Sequence, residues 1–194
     1  MNLKEILNKF EGILLEKKPK ILDLLNQGLS EQSFIDKMKF LDKQISTDIL
    51  TLYQWKNGFN QDLTSNEVLF SDGYFIDLDC AIDLYKLSFS HYWNEFFFPI
   101  FSSGDVLILI GIVKGHISYN KVYVFDMSPG AYAVYKKSIV PYYDSLEKLF
   151  LSNIKCYEQG AYSFNELGEL KVDWDLQWSI CKEINTNSEY WQVD

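Results

Sequence analysis

The sequence contains no arginine, so all 18 of its basic residues are lysines. It therefore lacks the planar guanidinium group that binds phosphate and guanine in a bidentate manner. Its 27 acidic residues give a net charge of -9, and an acidic surface repels the nucleic-acid backbone. These features argue against direct nucleic-acid binding. They favour a basic protein partner, because opposite charge accelerates association.

Cysteine and histidine are also scarce. The three cysteines, Cys80, Cys156 and Cys181, are odd in number and widely spaced, and only two histidines accompany them. No Cys-x-x-Cys pair or other zinc-binding spacing is present. We therefore expect reduced, mostly buried thiols and no metal or other cofactor.

Long apolar runs are missing as well. None reaches the roughly 18 residues that a membrane-spanning helix needs, and the N-terminal residues mix charged with apolar side chains, unlike a signal peptide. Hydrophobic residues nevertheless make up 47% of the chain and aromatic residues 16%, which excludes a disordered chain. The composition predicts a cytoplasmic, folded protein that does not bind membranes.

The acidic residues are unevenly distributed. Residues 62–105 hold eight acids and one lysine, and residues 161–194 hold seven acids and two lysines. In contrast, lysines slightly outnumber acids in residues 1–61 and 106–160. The sequence therefore predicts that negative charge concentrates in two segments.

The strongest local signals lie between Ile45 and Phe59. Ser46 is a typical N-cap, and Gly58 is expected to end the helix in a left-handed conformation. Trp55 falls on the apolar face between them, where core packing is the expected role. Before this central helix, apolar spacing predicts a helix over residues 2–16. Pro19 opens a second short helix through Leu25, closed by Gly28, and Ser30 caps a third.

After residue 62 the pattern changes from helical to alternating. Val68–Phe70 and Tyr74–Ile76 are predicted to pair across a turn, and Asp77 is predicted to cap the helix that follows. Four later segments are predicted strands: 96–101, 106–112, 121–126 and 131–137. Pro99 is expected at an edge or bulge because it cannot donate to a ladder.

A helix beginning at Asp144 or Ser145 completes the predicted fold. We expect one α+β domain over residues 1–160, with N-terminal helices packed on a central antiparallel sheet of five or six strands. Residues 161–194 form a predicted extension packed on the same domain, with a strand at 169–172 and a helix capped by Asp173. Three tryptophans occur in this extension: Trp174, Trp178 and Trp191.

The order of these segments resembles the SUKH superfamily, which includes fungal glucan-synthesis regulators of the SMI/KNR type and bacterial immunity proteins that neutralise toxins. The motif residues that carry the resemblance are Trp55, Asn57, Gly58, Pro99, Ile100, Gly104, Asp105, Ser145, Leu146, Leu149 and Phe150. One departure is that Ile45-Ser46 replaces the Leu-Pro pair usual before the central helix. The resemblance implies a protein-binding role, most simply as an immunity protein.

Signals for catalysis are weak. Ser102-Ser103-Gly104 lacks the first glycine of a nucleophile elbow, and His91 and His116 have no partner that the sequence identifies. Glu95 is a candidate for a raised pKa if it is buried. The closely spaced Asp77, Asp79 and Asp83 lack the pattern of a calcium loop, so a capped, solvated helix is the simpler interpretation. A small hydrolase with a concealed site stays as an alternative.

Acids combined with aromatics are typical of protein-binding surfaces. The predicted binding residues are Asp72, Tyr74, Asp77, Asp79, Trp174, Trp178 and Trp191. For the three tryptophans, core packing is the favoured alternative. Our first hypothesis is a non-enzymatic immunity protein that binds a basic toxin domain and occludes its active surface. The second is an intracellular scaffold that regulates cell-wall or glucan synthesis.

Overall fold

The computed structural model describes residues 1–41, 45–60, 68–88, 95–103, 106–126, 139–166 and 168–193. These residues form an α+β fold, as predicted. The α-helices are α1 (Leu3–Lys17), α2 (Glu31–Met38), α3 (Thr47–Trp55), α4 (Leu78–Ser88), α5 (Leu146–Gln159) and α6 (Trp174–Ile184). The strands are β1 (Leu25–Gln27), β2 (Lys56–Phe59), β3 (Tyr74–Phe75), β4 (Phe97–Ser103), β5 (Val106–Gly111), β6 (Val122–Asp126), β7 (Ile139–Tyr143), β8 (Tyr162–Phe164) and β9 (Leu170–Val172). None of the helices in this part of the chain has the length and apolar character that crossing a membrane requires.

The main sheet contains five antiparallel strands in the order β3-β4-β5-β6-β7. Ile108 and Ile110 of β5 belong to the main core, whereas Leu109 joins a separate cluster with Tyr123 and Phe125 of β6. Because side chains alternate across a sheet, both faces bury apolar groups. This explains why the central strands are continuous apolar runs in the sequence.

Pro99 lies within β4, where the register with β5 shifts between Pro99 and Phe101. The shift accommodates a residue that has no amide hydrogen for the ladder, so the expected bulge is confirmed. The predicted turn residues Gly104 and Asp105 fall outside the described residues. The predicted strand 131–137 falls outside them as well.

Local capping signals place the N-terminal helices as expected. The Asn2 side chain accepts the Glu5 amide and the Glu5 carboxylate accepts the Asn2 amide, both at 3.0 Å. Ser30 Oγ accepts the Ser33 amide at 3.1 Å at the start of α2. The buried side of α1 consists of Leu3, Ile6, Leu7, Phe10 and Leu14, whose apolar side chains recur at helical spacing.

The second predicted helix ends one residue earlier than expected and is of the 3-10 type. It spans Pro19–Leu24, and Leu25 already belongs to β1, so Gly28 follows a strand and not a helix. Strand β1 pairs with β2, with Leu25 opposite Phe59. The paired residues of β1 and β2 lie 29 to 34 positions apart, so this three-residue strand leaves no pattern in a local sequence window.

The central helix also ends early. It starts at the predicted cap, Ser46, but it ends at Trp55. Lys56 is extended, with φ -146° and ψ 148°, and the next residues form β2. Gly58 has the expected positive φ of 69°, but within a strand and not at a helix end. Pairing with β1 supplies the backbone partners that a helix cap otherwise provides.

The partner of β3 differs from the prediction. Tyr74 lies opposite Ser102 of β4, and residues 68–70 do not form a strand. Leu69 and Phe70 are instead fully buried in the core. Strand β4 pairs with β5 along one edge, and β3 supplies hydrogen-bond partners along the other. A local hairpin between residues 68–70 and 74–76 would have left those backbone groups of β4 unpaired.

The C-terminal half follows its caps closely. Ser145 Oγ accepts the Lys148 amide at 3.2 Å at the start of α5. Asp173 Oδ1 accepts the Leu176 amide at 3.0 Å at the start of α6. Strands β8 and β9 form a hairpin, with Tyr162 opposite Val172, so the predicted strand in the extension is confirmed. The sequence did not predict β7.

We expect Gly58→Ala to destabilise the protein far more than Gly115→Ala. Both glycines have positive φ, so either alanine adds backbone strain of about 1 kcal/mol. A Cβ at Gly58 would lie 2.2 Å from the Asp77 amide nitrogen, whereas nothing lies within 4 Å at Gly115. Urea denaturation should show a loss of at least about 3 kcal/mol for Gly58→Ala and about 1 kcal/mol for Gly115→Ala. Equal losses would contradict the close contact between the two backbone segments.

Candidate protein-binding cleft

A cleft of about 250 Å³ lies among the end of β2, strand β3 and the first turns of α4. We call it the α4 cleft. Phe59, Tyr74 and Leu84 supply apolar side chains to its lining, and Asp77 and Cys80 supply polar ones. Two of the predicted binding residues, Tyr74 and Asp77, therefore share one concave surface.

The Asn-Gly motif positions this cleft by holding the start of α4. Asn57 Oδ1 accepts the Leu78 amide at 3.0 Å, and Asp77 Oδ1 accepts the Cys80 amide at 3.0 Å. Two amides of the first helical turn are thus satisfied by side chains. Gly58 has no side chain to separate β2 from the backbone at Ile76 and Asp77.

Trp55 does not line the cleft but packs behind Phe75, which does. Its indole Nε1 donates to Glu11 Oε2 at 2.7 Å. Its ring stacks on Phe75 with centroids 6.4 Å apart and meets Phe150 edge-on at 5.9 Å. Phe75 in turn lines the cleft, so the tryptophan of the motif acts through core packing.

The acids of α4 differ in exposure. Asp77 is only 9% exposed. The Asp79 side chain is 63% exposed and pairs with Lys37 Nζ at 2.6 and 2.7 Å. Asp83 is also exposed. Among the described residues no group of three or more His, Cys, Asp or Glu side chains is placed to hold a metal ion.

The pKa of the Cys80 thiol indicates a negative electrostatic potential in the cleft. Partial burial raises the pKa of its thiol, and the negative charges of Asp77 and Asp83 raise it further. The thiol is therefore a weak nucleophile at neutral pH. Since neighbouring carboxylates disfavour a second negative charge here, the same surface favours a cation. Cys156 and Cys181 are free and buried, as expected, and Cys80 is half-buried.

Asp72 does not belong to the acidic surface, contrary to the prediction. It is 5% exposed. Tyr142 Oη donates to its Oδ1 at 2.5 Å, and Tyr143 Oη donates to its Oδ2 at 3.0 Å. These donors lie on β7, 70 residues further along the chain, so the sequence around Asp72 gives no sign of them.

A buried polar network continues from Asp72 into the C-terminal extension. Tyr162 Oη donates to Asn153 Oδ1 at 2.8 Å and is paired with Ser71 Oγ at 2.9 Å. Gln177 Nε2 donates to Ser71 Oγ at 2.6 Å and to Tyr162 Oη at 3.1 Å. The network joins the turn before β3 to α5, β8 and α6.

The three C-terminal tryptophans have different environments. Trp191 is 3% exposed and stacks on Tyr142 with centroids 5.0 Å apart. Trp178 is half-buried and meets Trp191 edge-on at 5.1 Å. Trp174 is 65% exposed. Core packing therefore accounts for Trp191, and the extension offers one exposed tryptophan and not an aromatic patch.

Of the candidate catalytic residues, His116 has local contacts on the turn that follows β5. His116 stacks on Phe96 with centroids 4.1 Å apart, and its Nδ1 accepts the Ser118 amide at 3.2 Å. Glu95 is exposed and not buried. His91 falls outside the described residues. The contacts of His116 hold the turn that follows β5.

Comparison with known proteins adds no relative. No protein-family model matches the chain, and no curated protein matches it either. The resemblance to the SUKH superfamily therefore rests on the motif residues and their order. Of these, Asn57 and Gly58 have the clearest structural role, at the start of α4.

Sequence reasoning missed part of the cleft. Cys80 and Leu84 were not predicted as binding residues. They follow Asp77 at helical spacing, so the helix pattern would have placed them on the same face. Ser102 and Phe59 reach the cleft only through strand pairing between distant segments. Lys37, the partner of Asp79, lies 42 residues away in the sequence.

We expect Asp72→Asn to change how stability depends on pH. Burial raises the pKa of Asp72 from 3.8 to about 6, although hydrogen bonds from Tyr142 and Tyr143 act in the opposite direction. The folded state therefore holds this proton more tightly than the unfolded state. The resulting stabilisation is complete below about pH 4 and is lost as the pH rises through 6.

The size of this loss is about 3 kcal/mol, which Asp72→Asn should remove. Urea denaturation of the wild-type protein and the Asp72→Asn variant gives the free energy of unfolding of each at pH 4 and at pH 7. The difference between the two proteins should change by this amount over that range. Partial burial and the charge of Glu147 also raise the pKa of Asp48 to about 6. Asp48 is present in both proteins, so its contribution to the pH dependence cancels in the difference. A constant difference across this range would contradict the prediction.

Proposed function

We propose that this protein is a non-enzymatic binding module of the immunity type, which neutralises a basic toxin domain by covering its active surface. The observation that carries the proposal is the α4 cleft, with the exposed carboxylates of Asp79 and Asp83 on the same helix. Concave apolar surfaces rimmed by charge are typical of protein interfaces. The order of the SUKH-like motifs favours the same class of function.

Charge is the second support. The net charge is -9, and none of the described residues lining the α4 cleft is basic. A basic partner would be attracted from a distance, and its orientation would be set by where the carboxylates lie. Contact between apolar side chains would then supply most of the affinity. Such a mechanism needs no catalytic group on this protein.

Co-purification tests the proposal directly. The tagged protein is recovered from its native cell extract at low salt, and the proteins released by rising salt are identified. We expect a stoichiometric basic protein with a toxin domain. A cell-wall or signalling complex in its place would contradict the immunity role and favour the regulatory scaffold. Recovery of the protein alone would contradict both.

Charge reversal on α4 should slow association with that partner. We expect the double variant Asp79→Lys, Asp83→Lys to lower the association rate constant by about tenfold at low salt, because both exposed carboxylates become cations. Stopped-flow or surface-based kinetics at two salt concentrations measures this, and high salt should reduce the effect.

Asp175→Lys provides the matched control, because Asp175 is exposed on α6 beside Trp174. Its association rate should fall only by the small amount that the change in net charge causes. A larger effect at Asp175 than at the α4 pair would place the interface on the C-terminal extension.

A further inference from the structure

The α4 cleft is too small for most organic ligands. Its volume is about 250 Å³, below the roughly 300–1,000 Å³ of sites that enclose drug-sized molecules. It is also many times larger than the roughly 30 Å³ that one water molecule occupies in the liquid. A single long side chain of another protein matches this size.

The cleft walls combine aromatic rings with an aliphatic side chain. Phe59 and Tyr74 meet edge-on, with centroids 6.0 Å apart and planes at 82°. Leu84 completes the apolar part of the lining from α4. Such walls favour an alkyl stem, and aromatic faces also attract a cation.

Among the described residues that line the cleft, Asp77 supplies a carboxylate. Asp77 lines the cleft and is 9% exposed, so its charge is largely shielded from water. Asp77 Oδ1 accepts the Cys80 amide at 3.0 Å, which fixes the carboxylate at the start of α4. A charge-assisted hydrogen bond to a buried carboxylate is stronger than one on the open surface. The raised pKa of the Cys80 thiol fits the same negative potential.

We propose that the α4 cleft receives one lysine or arginine side chain of the protein partner, with its stem against Phe59, Tyr74 and Leu84 and its cationic group at Asp77. This inference rests on the proposed function, since it names the group of the partner that the cleft binds. The chemistry is shared by the ammonium and guanidinium groups, which the experiment separates.

The protein already uses each part of this chemistry within its own chain. Lys37 binds both carboxylate oxygens of Asp79 on the same helix, at 2.6 and 2.7 Å. The Lys86 ammonium lies 4.8 Å from the ring centroid of Phe40. A partner's basic side chain in the cleft would combine the two kinds of contact at one place.

The test uses the purified protein and three probes with the same stem: n-butylammonium, n-butylguanidinium and n-butanol. Amide chemical shifts of residues 74–84 are followed during each titration at low salt. We expect saturable shifts at millimolar concentrations with the two cations and markedly weaker binding of n-butanol. The stronger of the two cations indicates whether lysine or arginine is preferred.

Asp77→Asn is the decisive variant, because asparagine caps helices as well as aspartate does and so preserves α4. It should weaken binding of the cationic probes by about fivefold to tenfold and leave n-butanol unchanged. Asp79→Asn is the matched control: it removes the same charge from the same helix but does not line the cleft. It should change the affinity for the cations less than twofold.

Three results would overturn the inference: equal binding of n-butanol and the cations, which indicates an apolar pocket only; no saturable shifts with any probe; or equal effects of the two variants. These results leave the co-purification experiment unaffected. If a partner is captured but the cleft does not bind the cationic probes selectively, only the inference about the cleft is refuted. Selective cation binding without any captured partner would refute the proposed function but keep the chemistry of the cleft.

Discussion

The close contact of the Asn57-Gly58 backbone with Ile76 and Asp77 is the constraint on which the candidate site depends. Only a residue without a side chain fits there, because a Cβ on Gly58 would lie 2.2 Å from the Asp77 amide nitrogen. The contact brings Asn57 to the Leu78 amide, where it helps to cap α4. Without it neither β2 nor the start of α4 would lie beside β3, and the cleft among them would not form. The motif that suggested a family thus has a structural explanation of its own.

A second constraint lies in the core behind the cleft. Asp72, adjacent to β3 in the chain, is held by Tyr142 and Tyr143 of β7, and Tyr142 stacks on Trp191 near the C-terminus. Ionising a carboxylate in this position is costly, which is why its pKa is raised. Partly satisfied buried networks are energetically costly, and the Gln177 Oε1 atom has no hydrogen-bond partner among the described residues. These directional hydrogen bonds favour one arrangement of the strands relative to the C-terminal extension.

The distribution of charge and the cleft fit one description of function. This acidic protein without arginine has exposed carboxylates on α4 and a carboxylate in the lining of an aromatic cleft on the same helix. In the proposed complex, long-range attraction would depend on the exposed acids and would be weakened by salt, whereas Asp77 would act only at contact. The exposed acids would then affect the rate of association, and Asp77 would affect the lifetime of the complex.

Features set within a few residues were readable from the sequence: the caps at Ser46, Ser145 and Asp173, the apolar stripe of α1 and the bulge at Pro99. Their physical causes, a side chain bonding to an amide two or three residues away or a missing amide hydrogen, lie inside a short window. Tertiary structure alone decided the pairing of β1 with β2, the burial of Asp72, the separate fates of the three tryptophans and the walls of the α4 cleft. The pairing of β1 with β2 joins Leu25 to Phe59, 34 residues apart, and the burial of Asp72 depends on Tyr142, 70 residues away. The tryptophan environments and the cleft walls likewise combine different helices and strands, which the packing of the whole core brings together without a local pattern.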